Sequence, residues 1–199
     1  MKAAIALLTM AGLPVGAAAQ DAKARVAVNS YATCLVNKSA RKVSVALDSG
    51  FDARFDAAVA ALPAKGCGEL GASVPTPTAL RGALFAAMYR KFGPGAGRSA
   101  SNLIRNWVPS LPASDPRLGL YTLSACIVLK APTASRYLIR AKPESEEEKR
   151  QMDAVMPHLQ ACVSPTANLR ISRAVLSGLI AETVYRIDFA VPSGERNNF

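Results

Sequence analysis

Apolar side chains recur at every third or fourth position through most of the chain. Leu80, Leu84, Met88 and Phe92 fall on one helical face, and Ile171, Val175 and Leu179 form a similar row that Thr183 continues. Helix start signals accompany these rows. Thr76-Pro77, Asp115-Pro116 and Ser164-Pro165 each pair a capping residue with a proline suited to the first helical position. Ser145-Glu146-Glu147-Glu148 has the form of a capping box, with an acidic run that suits the positive end of a helix and Glu146 one turn before Arg150. The pattern predicts an all-α protein. One stretch competes with that reading: Lys42-Val43-Ser44-Val45-Ala46-Leu47 alternates polar and apolar, as a half-buried strand does.

The helical pattern is written twice. Cys34, Val36 and Lys38 align with Cys126, Val128 and Lys130, and Leu80, Gly82, Tyr89 and Arg90 align with Leu176, Gly178, Tyr185 and Arg186. Between these blocks stand Cys67 and Cys162, and the offset drifts from 92 through 95 to 96, as small insertions in the second copy would produce. We read a tandem duplication of a unit of roughly 65 residues with three or four helices. Each unit has a first helix carrying Cys34 or Cys126 and a second over residues 40–47 or 133–141. A third covers 51–62 or 146–159, and a long last helix ends at the Tyr-Arg pair. Pro63 and Pro157 fall near the ends of the third helices, where the ring is expected to terminate or kink them. The expected organisation is a signal peptide over 1–19, a first repeat over 20–92, a Gly/Pro/Ser-rich linker over 93–118, a second repeat over 119–189 and a tail over 190–199.

The signal peptide rests on Lys2, the apolar stretch 3–16 and the small residues Ala17-Ala18-Ala19, which place cleavage before Gln20. The apolar stretch is short for a membrane span, and Pro14 and Gly16 break its end. No later stretch is apolar for long enough to cross a bilayer. The expected mature chain is soluble and exported, to the periplasm on this reading. Export makes nucleic acid an unsuitable partner. The 24 Lys+Arg against 14 Asp+Glu give a net charge of +10, or +9 once Lys2 is removed, but the basic residues are dispersed, with no run of four. Such a spread reads as solubility more than as a polyanion site.

Four cysteines in an exported chain predict disulfides, with three possible connectivities. A bridge present in an ancestral unit would appear once in each copy, which selects Cys34–Cys67 and Cys126–Cys162. Competing thiol chemistry is weak. There is no C-x-x-C for a redox centre or haem attachment, and the close Cys pairs of a zinc site are missing.

Little else carries chemistry. His158 is the single histidine, beside Pro157 and near Cys162, and it reads as a surface or capping residue. Ser39 and Lys42 match S-x-x-K without the companion motifs or chain length of penicillin-binding enzymes. No nucleophile elbow, P-loop, zinc-protease or dinucleotide-binding pattern is present. The residues left as candidates for a ligand or an interface are Tyr89, Arg90, Tyr185, Arg186 and Trp107. The repeated Tyr-Arg pairs offer an aromatic and a cationic contact for an anionic or aromatic ligand. Their structural alternative is a Tyr packed in its own unit with Arg at the helix C-terminus. Trp107, the only tryptophan, either plugs the seam between copies or anchors a partner. Gly82 and Gly178 each cost a helix about 1 kcal/mol relative to Ala. Close approach of the two last helices, or of a last helix and its disulfide-tied neighbour, would explain them.

No cofactor or metal is implied, and without a catalytic constellation the reading leans away from an enzyme. We expect an exported, non-enzymatic helical module that binds a protein or an envelope component. The alternative is a small-molecule carrier for an anionic or apolar ligand, with its pocket between the repeats and residues 93–118 as its gate. A hydrolase built on His158 is a remote third.

Overall fold

A computed structural model describes residues 15–49, 53–68, 76–93, 117–163 and 171–189, with side chains from residue 21 onward. The expected signal segment up to residue 14, most of the linker including Trp107, the Ser164-Pro165 start and the tail lie outside the described residues. Among the described residues the chain forms seven helices and no strand: α1 Val15–Asp48, α2 Ala53–Ala60, α3 Pro77–Phe92, α4 Arg117–Lys130, α5 Pro132–Arg140, α6 Glu146–Cys162 and α7 Arg173–Phe189.

Local chemistry accounts for the ends. Thr76 caps α3, its side-chain oxygen accepting from the Ala79 amide at 3.3 Å, with Pro77 in the first turn and Gly93 closing the helix at φ 73°. Ser145 caps α6 by accepting from the Glu148 amide at 3.1 Å. The expected Glu146–Arg150 pair is replaced by one between Arg150 and Glu147, three residues apart. Ser172 caps α7 through the Val175 amide at 3.3 Å. At Ser39 the backbone of α1 leaves helical geometry (φ −158°, ψ 66°), which separates the Cys34 segment from the segment ending at Asp48. That second segment is the stretch with strand-like alternation. Val43, Ala46 and Leu47 are buried there while Val45 is 64% exposed, a spacing of three and four that belongs to a helix.

Pro157 does not terminate its helix: α6 passes through it to Cys162, three residues beyond the expected end at 159. Proline removes one hydrogen bond from the ladder. Downstream, the Cys126–Cys162 bond ties the helix end to α4, and Leu159 packs against the core.

The two central helices are α3 and α7. Residues 80–89 of α3 are all buried, as are most residues of α7 from Leu176 to Asp188, so both are enclosed on nearly every side. The other side of α3 meets α1, with α2 beyond it, while α7 meets α4 and α5, with α6 beyond them. Cys34–Cys67 staples α1 to the segment before α3, with Cα atoms 5.4 Å apart. Cys126–Cys162 staples α4 to the end of α6, at 5.9 Å. Both bridges are the expected ones, and each closes within its own half of the chain. Among the described residues no single helix is long and apolar enough to cross a membrane.

Candidate ligand cleft at the seam between the halves

The seam is set by two glycines. A Cβ on Gly82 would lie 2.3 Å from the Cα of Gly178, and one on Gly178 would lie 3.1 Å from the Cα of Gly82. Backbone therefore touches backbone where α3 crosses α7, one of the two arrangements the sequence left open. Small side chains continue from that contact. Ala79, Gly82, Ala83 and Ala86 share one face of α3 at helical spacing, and Arg90 ends the same row. Ala174, Ser177 and Gly178 face them from α7. Around the glycine contact these short side chains leave a cleft of about 270 Å³. Val28 of α1 and Leu138 and Ile139 of α5 complete its apolar wall.

Charge along the cleft is unevenly satisfied. Arg25, buried in α1, donates to Glu144 and to Glu148 (2.5 Å), so a double carboxylate answers one guanidinium across the rim. Glu148 also accepts from the Glu144 amide at 2.8 Å. Together these contacts hold Glu144 at φ 63°, a left-handed conformation that costs a non-glycine residue on the order of 1 kcal/mol or more. Arg90 differs. It donates to the Ile139 carbonyl at 3.1 Å and to Asn29 Oδ1 at 3.4 Å, both neutral acceptors. Asn29 is itself oriented by donating to the Arg25 carbonyl at 3.0 Å. No carboxylate among the described residues meets Arg90, and burial lowers its pKa from the usual guanidinium value. Ser177 lines the cleft with a buried hydroxyl that has no hydrogen-bond partner among the described residues.

Behind the cleft, two buried polar clusters lock the halves together. Glu182 of α7 accepts from Arg81 of α3 at 3.0 and 2.9 Å, from the Tyr121 hydroxyl at 2.9 Å and from Arg186 at 2.9 Å. Arg81 also donates to the Leu47 carbonyl at 3.0 Å and stacks between Phe55 and Phe85. Asp188 accepts from the Tyr89 hydroxyl at 2.7 Å and from Arg136 at 2.9 and 2.7 Å. Both phenols are pushed well above the usual tyrosine range, first by burial and further by the adjacent carboxylates. Asp188 also raises the Arg136 pKa by accepting its hydrogen bonds.

The sequence-equivalent Tyr-Arg pairs thus take different places. Tyr89 is fully buried and bonded across the seam. Tyr185 is half-buried and stacks on Phe189, ring centroids 4.6 Å apart. Arg90 faces the cleft, whereas Arg186 turns back to Glu182 on its own helix. Of the four, only Arg90 lines the cleft. His158 is half-buried on α6, and among the described residues no hydrogen bond joins it to a serine or an aspartate. The small-residue row and the carboxylates at positions 144, 148, 182 and 188 were missed from sequence. The row was visible as Ala79, Gly82, Ala83, Ala86 and Arg90, but its cleft depends on a partner helix nearly a hundred residues away. No protein-family model matches the chain, and neither a curated protein nor a solved structure matches it.

Proposed function

We propose that the protein is an exported, non-enzymatic binding module whose two halves descend from one copied helical unit and hold a small ligand in the cleft between them. The observation that carries this reading is the cleft itself: an apolar wall ending at a half-buried cation with only neutral partners. Ligand sites favour such concave seams with a few convergent polar groups. A common origin is supported by the repeated order of helices, one staple per half, and the meeting of equivalent glycines where α3 crosses α7. The two disulfides are consistent with an oxidising, exported environment, with the periplasm as the proposed compartment. Binding a protein through an exposed surface finds less support. The exposed large apolar side chains, such as Val45, Phe92 and Tyr137, stand on five different helices and give that reading no focus.

A thermal-shift screen of the oxidised protein with fatty acids, aromatic compounds and inorganic anions tests the reading. Ligand at about 100 times its Kd adds about 2.7 kcal/mol of stability, a rise of roughly 5–10 °C for a chain of this size. We expect one class to raise Tm in the native protein and not in Ala79→Trp, which fills the cleft from a half-buried position. Stabilisation by no class, or equal stabilisation of both proteins, contradicts the proposal.

A further inference from the structure

We infer that the ligand is a small monocarboxylate with an unbranched aliphatic body, its carboxylate on Arg90 and its chain lying against the small-residue face of α3. This rests on the reading of the cleft as the binding site. Several features of the cleft narrow the chemistry.

Sign and number of charges come first. Arg25 is already answered by Glu144 and Glu148, which leaves Arg90 as the lining cation that meets no carboxylate among the described residues. A planar guanidinium pairs with a carboxylate through two parallel hydrogen bonds. The cleft also contains the Glu148 carboxylate and, at its exposed edge, Asp21. A second negative charge on the ligand would face these groups, so one anion fits and two do not.

Size and shape come next. At about 270 Å³ the cleft falls just below the range of about 300–1,000 Å³ usual for small-molecule pockets, so the ligand is small. Arg90 stands eight residues along α3 from Gly82, or about 12 Å from the glycine contact. The lining therefore runs for about 12 Å along α3. Its described lining contains no aromatic side chain, only Ala, Gly, Val, Leu, Ile and Pro beside the polar groups. Such walls suit a flexible alkyl chain rather than a stacked ring.

Calorimetric titration with three probes of equal chain length separates the possibilities: octanoate, 1-octanol and the eight-carbon dicarboxylate suberate. A charge-assisted hydrogen bond is worth enough to change affinity by roughly 10- to 100-fold. We expect octanoate to bind at least tenfold more tightly than either other probe. Arg90→Gln is expected to remove that preference while leaving 1-octanol unchanged. Equal binding of octanoate and octanol to the native protein overturns the carboxylate assignment and leaves the cleft reading standing. So does tight binding of suberate, or the failure of all three probes while another class from the thermal screen binds and is blocked by Ala79→Trp. Failure of every compound overturns both. The native-protein comparison decides the matter even if Arg90→Gln does not fold.

Discussion

Gly82→Ala and Gly178→Ala are the same chemical change at equivalent sequence positions, yet the seam makes them unequal. A helical Gly→Ala exchange in an open position gains about 1 kcal/mol. At Gly82 the new methyl would lie 2.3 Å from the Gly178 Cα, with the Gly178 carbonyl carbon and oxygen at 3.1 and 3.3 Å. Carbon atoms pack at about 3.5–4.0 Å, so α3 and α7 would have to part by about 1 Å or more. They are held together beside the contact by the Arg81–Glu182 bonds and two turns further on by the Tyr89–Asp188 bond, and backbone has no alternative rotamer. Overpacking of this kind costs about 3 kcal/mol or more, which leaves a net loss of about 2 kcal/mol after the gain in helix propensity. At Gly178 the nearest atom is 3.1 Å away and the next 3.8 Å, a shortfall of a few tenths of an ångström that the propensity gain offsets. Urea denaturation with the disulfides intact is the assay, supported by thermal melts. We expect Gly82→Ala to lower Tm by roughly 4–8 °C and Gly178→Ala to stay within about 3 °C of the native protein. A Gly82→Ala protein as stable as the native one would refute the backbone contact.

Further outcomes follow from the buried clusters at the seam and from the staple within the first half. Glu182→Gln removes the carboxylate shared by Arg81 and Arg186 and is expected to cost about 3–5 kcal/mol by urea denaturation. Arg150→Ala, which breaks only an exposed pair with Glu147, should cost less than about 1 kcal/mol, and equal losses would contradict the ranking. Tyr89, Tyr121 and Tyr185 are all raised above the unfolded tyrosine value of about 10, mainly by burial, so their neutral forms favour the folded state. That contribution is complete below pH 10 and is lost as pH rises above it, by about 1.4 kcal/mol per pH unit per group. Stability measured from pH 9 to 12 should fall less steeply in Tyr121→Phe than in the native protein, and parallel curves would count against Tyr121. Replacing Cys34 and Cys67 together by Ser reopens a loop with a sequence separation of 33, a loss of about 4 kcal/mol in the chain-entropy model. A loss below about 1 kcal/mol would show that the staple adds little.

What the sequence made legible is local or repeated. Thr76-Pro77 and Ser145 with Glu148 are caps whose partners lie within three residues, and both form. The cysteine pairing followed from reading the sequence as two similar stretches, and the glycine pair pointed to a helix contact because glycine inside a helix needs a reason. The Arg81–Glu182 bond joins residues 101 apart, and nothing in the periodicity of either helix marks Glu182 as buried. Equivalent sequence also misled over the Tyr-Arg pairs. Asp188 lies in register with Phe92 of the first half, so Tyr89 finds a carboxylate across the seam while Tyr185 finds rings. The alternation over residues 42–47 was ambiguous because exposed Val45 sits among buried neighbours.

Amide chemical shifts of the isotopically labelled, oxidised protein during an octanoate titration test most directly whether the seam is a binding site. The account predicts saturable shifts concentrated at Gly82, Ala83, Ala86, Arg90, Ser177 and Gly178. Saturable shifts confined to other surfaces would contradict it, as would no shift with octanoate or with any compound of the thermal screen at millimolar concentration.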